Sequence, residues 1–136
     1  MPTKKKKIVQ VKKKWKDTKK WYWVLFIIAA FLMFLDGMVT TPIALVCVDG
    51  AYEANIWHRY WSDSLGVQYF FYSTPITVLF LFLLSQGVEK ISYEWLKKHP
   101  HQLHRYHWPA YALFIVTILL FGSVVVSNFG VISHGI

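Results

Sequence analysis

Three long apolar stretches, separated by shorter polar segments, dominate the chain. They cover approximately residues 21–48, 69–88 and 106–132. A helix needs about 20 apolar residues to cross a hydrocarbon core about 30 Å thick, and each stretch has that length. The pattern therefore predicts an all-α fold in which a basic tail (residues 1–20) precedes a bundle of three transmembrane helices (residues 21–136).

Composition and charge support a membrane protein and predict its orientation. The chain is 55% hydrophobic and 18% aromatic, well above an ordinary soluble domain. Basic residues accumulate on the cytoplasmic side of membranes, and the N-terminal tail and the loop containing Lys97, Lys98 and Arg105 are basic. We expect a multi-pass protein of the cell (plasma) membrane, with the N-terminus in the cytoplasm, the C-terminus outside and the first helix acting as an uncleaved signal anchor.

The lysine-rich tail accounts for most of the net charge of +8, because ten of the fifteen Lys and Arg residues lie there. Basic residues next to a membrane are attracted to anionic lipid by about 1 kcal/mol each. We expect lipid headgroups as partners of this tail and no nucleic acid. The lysines concerned are Lys4, Lys5, Lys6, Lys7, Lys12, Lys13, Lys14, Lys16, Lys19 and Lys20.

The loop after the first helix is rich in aromatic residues. Trp57, Tyr60 and Trp61 recur at helical spacing between Tyr52 and Ser64. Aromatic rings favour the membrane–water interface, so the spacing predicts a short amphipathic helix lying on the outer membrane surface.

Asp36 is a carboxylate inside the first apolar stretch. An unpaired carboxylate at membrane depth costs at least about 2.5 kcal/mol, so Asp36 should face the protein interior and have a partner or a proton. Helix register places polar residues of every helix at the same level, in the outer half of the membrane or just above it. The predicted polar site comprises Asp36, Thr40, Glu53, Asn55, Ser73, Thr74 and Asn128.

Two interpretations of this polar level are open. In the first, the groups hydrogen-bond across helices and hold the bundle in register, each bond contributing on the order of 0.6 kcal/mol. In the second, Asp36 and Glu53 bind a cation or a proton, with Asn55 and Asn128 as neutral oxygen ligands.

Several short motifs link these polar residues. They are Leu35-Asp36-Gly37 with Thr40, Glu53-Ala54-Asn55 in the loop, and Ser127-Asn128 late in the third helix. Together they resemble an uncharacterised family of small prokaryotic membrane proteins with an Asp and a Thr in helix one, a Glu-x-Asn-Pro loop motif and a late Asn in helix three. The chain departs from that pattern twice. Ile56 stands where the family usually has Pro, and the Lys that the family carries in its second helix is missing from the predicted second helix of this chain. The resemblance implies the three-helix architecture and the polar site but no reaction.

Four histidines, His99, His101, His104 and His107, lie within nine residues before the third helix. Helical spacing can place two imidazoles on one face, where they could bind one metal ion. A transition-metal site normally requires a third ligand, and Glu94 is the only carboxylate near these histidines in the sequence. The alternative is an ordinary basic interfacial loop. No cofactor is predicted, and metal binding by this stretch is the second interpretation. The single cysteine, Cys47, excludes an internal disulfide.

The sequence contains no recognisable catalytic pattern, such as a nucleophile with a base or a glycine-rich phosphate loop. We therefore expect a non-catalytic subunit that packs with other membrane protein subunits. Respiratory oxidases and copper-dependent membrane monooxygenases contain small helical subunits of this general kind, which is an analogy only. The alternative is a homo-oligomeric ion- or proton-binding transport protein centred on Asp36.

Overall fold

The computed structural model describes residues 3–17, 19–99 and 107–135, and these residues are helical apart from short connections. The all-α prediction is confirmed. The helices are α1 (Lys4–Asp17), α2 (Lys20–Cys47), α3 (Ile56–Leu65), α4 (Gln68–Lys98) and α5 (Trp108–Gly135).

Three of these helices are long and apolar enough to cross a membrane. They are α2, α4 and α5, with 28, 31 and 28 residues. At 1.5 Å per residue each is more than about 40 Å long, which exceeds a hydrocarbon core of about 30 Å. The predicted orientation of the termini stays a prediction.

Helix α4 extends ten residues beyond its predicted end at Val88. The prediction stopped there because Glu89 and Lys90 interrupt the apolar pattern. The helix continues because Glu89 turns inward, where it is 4% exposed and pairs with His107, the residue just before α5. Helix α5 begins at Trp108, and Pro109 fits its first turn because the first helical N–H groups have no partner within the helix.

The core lies between α2, α4 and α5. The Tyr22 ring packs edge-on against Phe114 with ring centroids 5.1 Å apart, and Met33 and Leu81 continue the core outward. Most other apolar side chains of these helices point away from the bundle. This distribution is typical of helices surrounded by lipid or by other helices, because lipid tails are as apolar as a protein core.

Helix α2 contains a π-helical segment at Leu35–Thr40. Pro42 has no N–H to donate and disturbs the hydrogen bonds of the turn before it. The Thr41 N–H instead donates to the carbonyl of Asp36, five residues back. A π-turn accommodates an extra residue, so Thr41 as well as Thr40 lies beside Asp36.

Gly37 in this segment allows α4 to approach closely. A Cβ atom at Gly37 would overlap the hydroxyl of Thr74. The two helices are therefore in contact beside Asp36 only because residue 37 has no side chain.

Helix α1 packs against the inner end of α4, as defined by the predicted orientation. The ring of Trp15 lies 5.3 Å from that of Tyr93 and 4.2 Å from that of His107. Lys4, Lys5, Lys6, Lys12, Lys13 and Lys20 are exposed, and Lys19 lies over the Tyr22 ring. The side chains of Lys7, Lys14 and Lys16 are outside the described part, and lipid contact by this tail stays a prediction.

Helix α3 occupies the loop for which a helix from Tyr52 to Ser64 was predicted. It begins at Ile56 because Asn55 caps it: Asn55 Oδ1 accepts hydrogen bonds from the N–H groups of Trp57 at 3.0 Å and His58 at 3.4 Å. His58 Nδ1 lies 2.8 Å from the Tyr69 hydroxyl, which connects α3 to α4. The location of α3 on a membrane surface stays a prediction.

Candidate functional site

An amide group of α5 bridges to the π-helical part of α2. Asn128 Nδ2 lies 3.0 Å from each of three oxygens: Asp36 Oδ1, Thr40 Oγ1 and Thr41 Oγ1. Thr41 Oγ1 also donates to Asp36 Oδ1 at 2.8 Å. We call these four residues the Asp36 cluster. Hydrogen bonds to an ionised acceptor are roughly twice as strong as neutral ones, so the cluster is well suited to hold a carboxylate in one orientation.

The negative charge of Asp36 has no basic partner in the described part of the chain. Both side-chain hydrogen bonds to the carboxylate reach Oδ1, and none of the described residues donates to Oδ2. No described Lys, Arg or His nitrogen lies within salt-bridge distance of it. At membrane depth, a carboxylate without a basic partner requires a proton or a bound cation.

Asp36 lies on the wall of a cavity of about 980 Å³, the Asp36 cavity, between α2, the outer halves of α4 and α5, and the loop before α3. Six of the seven residues of the predicted polar site line it. The seventh, Thr40, is 1% exposed and reaches the site through its hydrogen bond with Asn128. The six lining residues are Asp36, Glu53, Asn55, Ser73, Thr74 and Asn128.

Glu53 and Asn55 also have local structural roles. The Asn55 N–H donates to Glu53 Oε1 at 3.0 Å, and Arg59 Nε donates to the Glu53 carbonyl at 2.9 Å. The Asn55 side-chain oxygen caps α3, so it could bind a metal ion only if this cap opened. The cation-ligand role foreseen for Asn55 therefore competes with the start of α3.

Thr41 belongs to the Asp36 cluster but was not among the predicted site residues. The prediction used α-helical spacing, which places Thr40 on the face of Asp36 and Thr41 away from it. Pro42 was the available signal, because a proline in a helix displaces the hydrogen bonds of the preceding turn.

A second buried polar pair lies at the other end of the bundle and was also not predicted. His107 Nδ1 is 2.7 Å from Glu89 Oε2, and His107 is fully buried. The carboxylate expected near the histidines was Glu94, which instead forms an exposed pair with Lys97. Helical spacing was the missed signal, because residues three or four apart share a helix face. This spacing places Glu89 on the buried face that contains Leu81, Ser85 and Leu96.

A chain of hydrogen bonds lies one helical turn before Glu89 in α4. Gln86 Nε2 donates to the Tyr22 hydroxyl at 2.7 Å, and this hydroxyl lies 2.6 Å from Ser85 Oγ. Ser85 Oγ in turn donates to the Phe82 carbonyl at 2.7 Å. The chain satisfies the buried Tyr22 and links α2 to α4, which is a structural role.

The histidine stretch is only partly described. His99 Nδ1 lies 3.0 Å from the Trp95 carbonyl, whereas His107 pairs with Glu89. Among residues 3–17, 19–99 and 107–135, no three His, Cys, Asp or Glu side chains are grouped to hold a metal ion. His101 and His104 lie outside these ranges, so metal binding by the stretch stays a prediction.

Comparisons with known proteins found no matching family model, no matching curated protein and no matching solved structure. The resemblance to a family of small three-helix membrane proteins therefore stays a prediction.

Proposed function

We propose that this chain is a multi-pass membrane protein without catalytic activity of its own, which binds a proton or a monovalent cation at Asp36. One observation carries the proposal: the Asp36 carboxylate faces a cavity, and no described basic residue balances its charge. A carboxylate in this situation, within a helix apolar enough to span a membrane, is stabilised by a proton or a cation.

The ligand set of the Asp36 cluster suits a monovalent ion. It combines one carboxylate with the hydroxyl oxygens of Thr40 and Thr41. Asn128 presents its NH2 group to these oxygens, so it would act as a ligand only after its amide turned to present Oδ1. One negative charge balances one positive charge, and hard cations prefer oxygen ligands of these kinds. A homo-oligomer that carries such an ion across the membrane would be the corresponding transport protein.

The test is equilibrium binding of radioactive Na⁺, and proton uptake measured with a pH-sensitive dye, on protein reconstituted in lipid vesicles. Asp36→Asn removes the charge with little change in size, and we expect binding to weaken by at least about tenfold because an uncharged amide no longer balances the ion. The matched control is Asp63→Asn, an exposed carboxylate of α3 that does not line the Asp36 cavity. Equal binding by Asp36→Asn and the parent protein would show the proposal to be wrong.

A second proposal, the role of a non-catalytic subunit in a larger membrane complex, is favoured by the outer face of α4. Phe80 and Ile91 are 64% and 73% exposed, and Gly87 between them has open space around its Cα. A glycine on an apolar face allows another helix to approach closely.

This second proposal is tested by extraction in a mild detergent, native gel electrophoresis and mass spectrometry of the co-migrating chains. We expect other subunits at fixed stoichiometry, and Gly87→Leu should release them. Migration of the chain as a monomer would contradict the subunit role.

A further inference from the structure

The Asp36 cavity is far larger than a monovalent ion requires. Its volume of about 980 Å³ lies at the upper end of the range of about 300–1,000 Å³ that small-molecule ligands occupy. Its α5 wall extends from Leu120 to Val131, which corresponds to about 16 Å of helix. A ligand that fills the cavity is therefore an elongated molecule.

The walls of the cavity change character along this length. The outer end contains Asp36, Glu53 and Asn128, whereas the inner end is formed by Met33 and Leu120 with the Phe121 ring. A charged or hydrogen-bonding group fits the outer end, and a hydrocarbon chain fits the inner end. This division matches an amphiphile.

The charge of the outer end selects the head group. Asp36, Asp49 and Glu53 all line the cavity, whereas no Lys or Arg of the described chain does, and His58 is the only basic side chain there. A phosphate or carboxylate head group would meet three like charges, with the imidazole of His58 as its one basic partner among the described lining residues. An ammonium head group would be attracted, and it could donate to Asp36 Oδ2, which accepts no hydrogen bond from the described residues.

Thr77 of α4 and Ser123 and Ser127 of α5 line the cavity and are exposed. The hydroxyls of Thr77 and Ser123 donate to carbonyls of their own helices, at 2.8 Å in both cases. Their hydrogen bonds are thus satisfied internally, so a hydrocarbon chain can lie across them without leaving a donor unpaired.

We infer that the Asp36 cavity binds an amphiphilic amine, with its ammonium group at Asp36 and its hydrocarbon chain between α4 and α5. The inference rests on the proposed cation site and specifies the chemical class of its ligand. It requires the cavity to distinguish an amine from a neutral or anionic amphiphile of the same chain length.

The test uses a photoactivatable twelve-carbon amine that bears a diazirine near the chain end, with the alcohol and the carboxylic acid of the same length as controls. The full chain is reconstituted in phosphatidylcholine nanodiscs and irradiated, and the labelled peptides are identified by mass spectrometry. We expect the amine to label the cavity-lining parts of α4 and α5 at least about tenfold more than the alcohol, since only the ammonium group pairs with a carboxylate. Asp36→Asn should lower amine labelling to the level of the alcohol, and Asp63→Asn should leave it unchanged.

Equal labelling by amine and alcohol, or unchanged labelling of Asp36→Asn, would overturn the inference. A second protein chain cross-linked to these α4 and α5 peptides in native membranes would also overturn it, because the cavity would then hold a partner helix. Na⁺ or proton binding that depends on Asp36 without selective amine labelling would refute the amphiphile and leave the cation site intact. Absence of both would refute the two proposals together.

Discussion

His107 Nδ1 lies 2.7 Å from Oε2 of Glu89, within a pair that is almost completely buried. The other imidazole nitrogen, Nε2, lies 2.9 Å from the carbonyl oxygen of Trp15. A carbonyl only accepts, so Nε2 carries the hydrogen of that bond. The imidazole of His107, the residue just before α5, thereby contacts both α4 and α1.

Removal of this carboxylate should strongly destabilise the bundle. Glu89→Ala leaves the His107 imidazole buried without its hydrogen-bond partner, and an unsatisfied buried polar group costs about 1–3 kcal/mol. Chemical unfolding in a mild detergent measures the change in the free energy of unfolding. Glu94→Ala is the matched control, because the Glu94–Lys97 pair is exposed and such pairs contribute at most about 1 kcal/mol. Similar losses in the two variants would contradict the structural importance of the Glu89–His107 pair.

Asn128→Ala should loosen the contact between α2 and α5. It removes the amide NH2 group that contacts Asp36, Thr40 and Thr41. This group has two hydrogens, so it makes two full hydrogen bonds at a time, and at about 0.6 kcal/mol each the expected loss of stability is about 1 kcal/mol. The comparison is Ser133→Ala, which removes only a hydrogen bond to Gly130 of the same helix. Thermal unfolding of the two variants is the measurement, and we expect a lower melting temperature for Asn128→Ala than for Ser133→Ala. Equal melting temperatures would argue against the Asp36 cluster as a link between helices.

A comparison of Gly37, which is packed against Thr74, with Gly87, which has open space beside it, tests the α2–α4 contact. Gly37→Ala places a methyl group against the Thr74 hydroxyl, and overpacking of this kind typically costs about 1–3 kcal/mol. The methyl group of Gly87→Ala meets open space. Alanine is more favourable than glycine in a helix by about 1 kcal/mol, so the free energy of unfolding of this variant should be unchanged or higher.

Opposite signs for these two changes in unfolding free energy are the expected result. Addition of Thr74→Ala to Gly37→Ala should recover part of the loss, because it removes the overlapping hydroxyl. A Gly37→Ala protein as stable as the parent would show that α2 and α4 are not in close contact there.

The predicted orientation can be tested with single cysteines. Cys47→Ala provides a cysteine-free background, in which Lys5→Cys marks α1 and Ser133→Cys marks the end of α5. A membrane-impermeant maleimide should label Ser133→Cys in intact cells and Lys5→Cys only after the cells are permeabilised, because basic residues favour the cytoplasmic side. The reverse pattern would invert the topology.

Local sequence features predicted the three long helices, a helix in the loop after the first of them and many of their polar residues, but not helix α1 in the basic tail. Asp36, Ser73, Thr74 and Asn128 could be identified because each is a polar residue in or beside a long apolar stretch, and the structure places all four on one cavity. Their common level was predictable as well, because a helix has a constant rise per residue.

The sequence by itself determined three helices long enough to span a membrane, since the length of an apolar stretch is a local property that needs no partner. Tertiary structure decided which side chains face one another. Thr41 lies beside Asp36 because Pro42 and the packing of α2 produce a π-turn. Glu89 turns inward because His107, eighteen residues later, provides its hydrogen-bond partner. Such pairings depend on how separate helices rotate and approach one another, and this is settled by packing across the bundle rather than by the spacing of residues along one helix.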